Sequence, residues 1–309
     1  MSNHLQRLLV AIVAIPLIIG ITIAGGVWFL LFIGIVATLG LSEFYALSVA
    51  KGAKPLKVIG SVTGVLVLLS FYNSNLLSVF HSLLGQAPNS EAQFLLLIIL
   101  ISIPLLGLIE LFRNNGSAQL NLSTTIMGIF YVSLFFGSLI GIREIFSPLH
   151  IPVTKYFPAG MSPDIGDILY RWGGYTVVTI YAMIWICDSA AYYVGRSIGK
   201  NKLFPRVSPN KSWEGAIGGF VFAVLTALGA KFLYLDYLQL HEAIILGIIV
   251  GVFGQLGDLF ESLLKRDAGV KDSSNLIPGH GGVLDRFDSL LFVAPIVYLY
   301  LDFIVFSFN

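Results

Sequence analysis

Residues Ala243-Ile244-Ile245-Leu246-Gly247-Ile248-Ile249-Val250-Gly251-Val252-Phe253-Gly254-Gln255-Leu256-Gly257 carry no charge, and they run straight into Asp258-Leu259-Phe260-Glu261-Ser262-Leu263-Leu264-Lys265-Arg266. A helix needs about 20 apolar residues to cross a hydrocarbon core about 30 Å thick. The first part therefore reads as a membrane span, and the charged part as the end of the same helix. On that helix Asp258, Glu261, Ser262 and Lys265 follow the i, i+3, i+4, i+7 pattern and share one face.

Stretches of the same kind recur along the chain. They fall at roughly residues 6–24, 27–49, 58–75, 93–112, 122–143, 174–195, 214–234, 243–264 and 286–307, which predicts nine spans. The third is short and is followed by a further apolar stretch, Leu76–Leu84. The composition agrees: 56% of the 309 residues are hydrophobic and 11% charged, with a mean hydropathy of +0.87. A typical soluble domain has about 25% charged residues. An ordinary soluble enzyme is excluded, as are disordered and collagen-like chains. The fold class expected is all-α, a polytopic integral membrane protein. Gly25-Gly26 leaves so short a connection that the first two spans should form a hairpin, which argues against a removable signal peptide. The lone cysteine, Cys187, rules out an intrachain disulfide and reads as a small packing residue.

The cations give a direction. With the N-terminus inside and nine spans threaded, only Arg143, Lys155, Arg171 and Lys231 of the 18 Lys and Arg fall outside. Cytoplasmic loops concentrate Lys and Arg, so the N-terminus and the two most basic loops are expected in the cytoplasm.

The two halves differ in character. Residues 1–150 are plain apolar helix and read as scaffold, dimer or lipid-facing spans. Residues 151–309 read as the catalytic region, opening with a polar, proline-containing outer loop over Ile151–Leu169. Between Asp188 and Asp288 lie ten acidic and ten basic residues, more than half of all the charges. Charge at membrane depth is costly, and its usual reason is function.

Asp258 and Glu261 are two carboxylates spaced to share a hard cation such as Mg²⁺. After them comes a Gly-, Ser- and Asp-rich loop, Gly269-Val270-Lys271-Asp272-Ser273-Ser274-Asn275 and then Pro278-Gly279-His280-Gly281-Gly282. Glycines let backbone N–H groups approach a polyphosphate closely. A flexible connection between two helices is the plainer alternative. Asp285 and Asp288 flank Arg286 at the start of the last span, where helix capping alone accounts for one acid. No thiolate–imidazole cluster points to a transition metal. The loop Arg196–Lys211 holds five cations, suited to phosphate or simply to membrane topology. Ser208, Ser212 and Glu214 read either as caps of the following helix or as part of a phosphate site at its N-terminus. Glu43 and Glu110 lie late in spans and read as partners of Lys51 and Arg113, or as snorkelling side chains.

Ser262-Leu263-Leu264-Lys265-Arg266, then Lys271-Asp272, then His280-Gly281-Gly282-Val283-Leu284-Asp285-Arg286-Phe287-Asp288 resembles the signature motif of the phosphatidate cytidylyltransferases (CDP-diacylglycerol synthases). Upstream, Ser208-Pro209-Asn210-Lys211-Ser212-Trp213-Glu214-Gly215 is similar to a second block of that family, and Asp188-Ser189-Ala190-Ala191-Tyr192 with Gly195-Arg196 to a third. The resemblance covers about residues 180–305; the first half matches only as a run of spans.

The resemblance implies that CTP and phosphatidic acid give CDP-diacylglycerol and pyrophosphate. It also implies Mg²⁺ dependence, the bacterial inner membrane and a homodimer; a second, monovalent cation is an open addition. Catalytic roles are expected for Lys265, Arg266, Lys271, Asp272, His280 and Arg286. Substrate contacts are expected for Ser208, Lys211, Ser212, Glu214, Ser262, Gly281 and Gly282. Metal ligation is expected among Asp188, Asp258, Glu261, Asp285 and Asp288. The rivals are another lipid nucleotidyltransferase, a polyprenol kinase, or a cation transporter. A transporter would spread its charges through the bilayer centre, often in paired repeats.

Overall fold

The computed structural model describes residues 3–72, 91–146, 151, 156, 164–277, 279 and 281–307. Nine helices appear among them: α1 Asn3–Ala24, α2 Gly26–Ala50, α3 Lys57–Ser70, α4 Glu91–Arg113, α5 Ala118–Glu144, α6 Ile165–Ile198, α7 Trp213–Leu233, α8 Leu240–Asp267 and α9 Leu284–Tyr300. A π-helical segment, Ile129–Leu134, interrupts α5, and another, Leu301–Val305, extends α9. The fold is helical, as composition demands.

Among the described residues seven helices have the length and apolarity to cross a membrane: α2, α4, α5, α6, α7, α8 and α9 with its extension. They coincide with seven of the nine expected stretches. The first and third stretches coincide with shorter apolar helices, Ile12–Ala24 and Lys57–Ser70. Apolar side chains cover much of the outside. On α4, Leu111 and Phe112 are 72% and 84% exposed, and on α7, Phe232 and Leu233 are 73% and 78% exposed. Exposure on that scale fits lipid rather than water.

Two local expectations are corrected. The outer loop does not extend to Leu169, because α6 already begins at Ile165. Ile165, Leu169, Gly173, Val177 and Tyr181 recur at four-residue intervals and are all buried, so the helix gains a continuous apolar face by starting early. The segment ahead of α7 is not only a loop. Strands β1 Lys202–Phe204 and β2 Ser208–Ser212 form an antiparallel ribbon, with Lys202 opposite Ser212 and Phe204 opposite Ser208.

The chain divides into two compact units. The first comprises Met1–Leu8, Gly26–Glu144 and Leu264–Arg286; the second comprises Leu9–Gly25, Ile145–Leu263 and Phe287–Asn309. In the first, aromatic rings seat on glycines. A Cβ at Gly128 would lie 2.6 Å from the Tyr45 ring, and one at Gly137 2.6 Å from the Phe71 ring. Asn121 is a polar hub: Oδ1 accepts from Lys54 N–H at 2.6 Å, and Nδ2 donates to Glu110 Oε1 at 2.6 Å. Glu110 also pairs with Arg113, as expected.

In the second unit, small residues let backbones approach. A Cβ on Gly215 would lie 2.6 Å from Ala191 O, and one on Gly219 2.8 Å from Cys187 O, which joins α7 to α6. On α8, a Cβ on Gly247 would lie 2.6 Å from Val224 Cα of α7. On the same helix, a Cβ on Gly257 would lie 2.6 Å from Asp288 O of α9.

Candidate active site

In the second unit, the close approach at Gly257 sets the charged end of α8 beside the start of α9. Lys211, next to the end of β2, reaches Asp258 of α8: Nζ donates to Oδ2 at 2.6 Å. Both side chains are about a third exposed, 28% and 31%. Ser262, one turn on, donates to Asp258 Oδ1 at 3.3 Å. Glu261 on the same helix is fully buried. Asp288 is half-buried, and its Oδ1 accepts from Ser289 N–H at 2.6 Å.

The ribbon is tied down by the residues that follow it. Ser212 caps α7, its Oγ accepting from Gly215 N–H at 3.2 Å. Glu214 reaches back to accept from Lys200 N–H at 3.1 Å and from Asn201 Nδ2 at 2.7 Å. Ser212 and Glu214 thus fix the ribbon that carries Lys211. Ser208 is half-buried at the opposite end of β2. Asp188 is exposed on α6, one residue after the buried Cys187.

In the first unit, α8 ends on Gly269, whose φ of 74° only glycine adopts without strain. Val270 N–H donates to Lys265 O at 2.9 Å and Gly269 N–H to Arg266 O at 3.1 Å, a Schellman closure. Arg266 folds onto this turn, donating to Val270 O at 3.0 Å. Lys265 points instead to the start of α9, with Nζ 2.5 Å from Asp285 Oδ1. This pair is buried, with side-chain exposures of 10% and 4%. Asp285 Oδ2 accepts from Ser273 N–H at 2.9 Å, Ser273 Oγ at 2.9 Å and Gly282 N–H at 2.8 Å. Its oxygens are therefore occupied by four protein donors.

The glycines of the loop have a sharper role than flexibility. A Cβ on Gly281, at φ 79°, would lie 2.7 Å from Asp285 Oδ2. A Cβ on Gly282 would collide with Ser273 Oγ and come 2.6 Å from Glu43 Oε2. Both positions are small because carboxylates press against the backbone, and the Gly282 N–H is committed to Asp285. Ile277 N–H donates to Gly281 O at 2.9 Å, closing the turn between them. Pro278 and His280 lie outside the described residues. Lys271, Asp272 and Arg286 are exposed.

Sequence reasoning missed Glu43. It does not pair with Lys51, which instead meets Asp267 at 3.2 Å in an exposed contact. Glu43 lies 5% exposed in α2 and accepts hydrogen bonds from Ser273, Ser274, Val283 and Leu284. The available signal was its position inside an apolar helix, ahead of Phe44-Tyr45-Ala46-Leu47, too deep for a surface pair.

Among the described residues no three His, Cys, Asp or Glu side chains already converge as a metal cage. Lys211 in the second unit and Lys265 in the first are each held by a carboxylate. Ammonium groups set beside carboxylates at the end of an apolar helix suit an anionic, phosphate-rich substrate.

Comparison with known proteins settles the family. The profile of the Cytidylyltransferase family matches residues 5–304, nearly the whole chain. The chain belongs to the cytidylyltransferase family. Its relatives in this family include a protein of Synechocystis sp. named phosphatidate cytidylyltransferase, 33% identical over 302 residues, or 96% of this chain and 95% of that protein. A protein of the same name from Staphylococcus haemolyticus is 32% identical over 94% of this chain and 96% of its own length. One from Bacillus subtilis is 53% identical over a shorter stretch of 123 residues, 38% of this chain and 44% of that protein. The cytidylyltransferase match takes in both halves of the chain, including the N-terminal spans where no motif is legible.

Proposed function

We propose that this membrane protein is a phosphatidate cytidylyltransferase: CTP and phosphatidic acid give CDP-diacylglycerol and pyrophosphate. The observation that carries the reading is the near-full-length likeness to proteins of that name. The geometry supports it, since each unit sets a lysine beside a carboxylate at the charged end of a span, which suits an anionic phosphate.

In the reaction a phosphatidate oxygen attacks the α-phosphorus of CTP. A new P–O bond forms, the bond from the α-phosphorus to the bridging oxygen breaks, and pyrophosphate leaves. The phosphatidate phosphate is already an anion, so no strong base is needed. Positioning and charge neutralisation do most of the work. Lys211 exchanges its carboxylate partner for phosphate oxygens, Lys265 stays on Asp285 and offers its remaining N–H groups, and the exposed Arg266, Lys271 and Arg286 add positive charge around the leaving group. Catalytic roles for Asp272 and His280 are carried into this proposal from the motif alone.

The oxygen donors fit Mg²⁺, which binds through one or two carboxylates and substrate phosphates rather than a full protein cage. Asp258, Glu261 and Asp288 are the residues proposed to hold it. When bound, the ion neutralises triphosphate charge. Asp285 fits less well, because four protein donors already fill its oxygens. Asp188 and a second, monovalent cation belong to the periphery of this proposal. The basic loops face the cytoplasm of a bacterial inner membrane in this reading, on the strength of the cation bias and the bacterial relatives. The protein acts as a homodimer, a point that light scattering of the detergent-solubilised protein tests.

The deciding assay supplies purified protein with labelled CTP, phosphatidic acid and Mg²⁺. Labelled CDP-diacylglycerol is expected, and Asp288→Ala should lower turnover at least about 100-fold. Absence of the CDP-lipid, or full turnover in Asp288→Ala, overturns the assignment. With γ-labelled CTP and a polyprenol in place of phosphatidic acid, label moving to the polyprenol points to the kinase, and cation flux into liposomes without CTP points to a transporter.

A further inference from the structure

We infer that Glu43 of α2 is a positioning residue for the nucleotide-phosphate loop, acting through Ser273 and Asp285 on Lys265. This rests on the reading above, that Lys265 and its loop receive the triphosphate. The Glu43 carboxylate is met by four donors. Ser274 Oγ at 2.6 Å and Val283 N–H at 2.9 Å reach Oε1; Ser273 Oγ at 2.9 Å and Leu284 N–H at 2.8 Å reach Oε2. These donors bracket the loop at both ends, just after Asp272 and just before Asp285. One side chain therefore fixes the exit from α8 and the entry to α9.

Ser273 Oγ lies 2.9 Å from both Glu43 Oε2 and Asp285 Oδ2. Its single proton is shared between the two carboxylates, and their common contact couples their positions. Asp285 in turn holds the Lys265 ammonium. The fit leaves no slack, since even a methyl group at Gly282 would press on Glu43 and Ser273. A carboxylate buried in an apolar helix is costly unless fully hydrogen-bonded, and a neutral residue would pack α2 more cheaply. What the carboxylate adds is a defined loop conformation.

The test is steady-state kinetics on the full chain in detergent, with CTP and phosphatidic acid varied separately. Glu43→Gln keeps the shape but turns one acceptor oxygen into a donor, so two of the four loop donors lose their acceptor. Its kcat/KM for CTP should fall about 10- to 100-fold, the range for groups that orient others in a site. KM for phosphatidic acid should stay within about twofold, and backbone hydrogen exchange over 273–284 should accelerate while other helices keep their protection. Glu43→Asp should recover part of the loss.

Wild-type CTP kinetics in a folded Glu43→Gln protein overturn the inference. So does an equal loss toward both substrates that tracks only the amount of folded protein. If Glu43→Gln does not fold, Ser274→Ala decides, because it removes one half-buried donor to Oε1. A rise in KM for CTP supports the inference and no change overturns it. A wild-type protein inactive with CTP and phosphatidic acid overturns the functional reading and this inference together. An active wild type with unaffected variants overturns this inference alone.

Discussion

Lys211 and Lys265 both reach carboxylates, and their surroundings assign them different costs. Lys265 and Asp285 are buried, so removing one partner leaves an uncompensated charge, at about 3–5 kcal/mol. Lys211 and Asp258 are about a third exposed, where an ion pair contributes about 0–1 kcal/mol. Asp285→Asn should therefore lower the unfolding temperature markedly, whereas Lys211→Met should leave it nearly unchanged and still cost at least about 100-fold in turnover. Thermal unfolding and the cytidylyl-transfer assay, run on both variants, check this; equal unfolding shifts would contradict it. At this scale the sequence was informative where charge broke an apolar run. Asp258, Lys265 and Asp285 stand out by spacing alone, although which side chain each one meets does not. Glu43 was visible as an oddity, but its partners lie up to 241 residues away, beyond any local pattern.

Elements meet at their smallest residues. Gly257 touches Asp288 of α9, and Gly282 touches Ser273 and Glu43, so each glycine marks a contact rather than a bend. Adding a methyl group should cost about 1–3 kcal/mol by overpacking, and it should also shift the acid beside it. Gly257→Ala is expected to weaken Mg²⁺-supported turnover, and Gly282→Ala to raise KM for CTP. Kinetics with titrated Mg²⁺ and CTP separate the two, and unchanged constants in both variants would contradict the argument. The helices themselves were legible because lipid demands long apolar runs. The β1–β2 ribbon was not, since its five-residue strand Ser208–Ser212 contains a proline and shows no apolar alternation. Glu214 holds it from outside through hydrogen bonds that no periodicity encodes. The π-helical turn in α5 is equally silent in an unbroken apolar sequence.

The molecule as a whole is assembled from non-contiguous pieces. Leu264–Arg286 belongs with Gly26–Glu144, although the composition groups it with the charged second half. Hydrophobicity says which segments enter the membrane and is silent about which helices pair, because lipid-facing runs look alike. Orientation is the property composition speaks to most directly. In a Cys187→Ser background, Lys271→Cys should react with a membrane-impermeant maleimide only from the cytoplasmic face of sealed vesicles. Labelling from the opposite face alone would reverse the topology.

The hydrogen bonds of Glu43 also have a place in time. The last of its donors, Leu284, follows it by 241 residues. At a synthesis rate of about 5–20 residues per second, α2 exists for roughly 10–50 s before its acid finds its ligands. Throughout that interval the growing chain holds an unsatisfied carboxyl group in an otherwise apolar helix. A chain cut short before Leu284 therefore keeps that carboxyl group without its full set of donors.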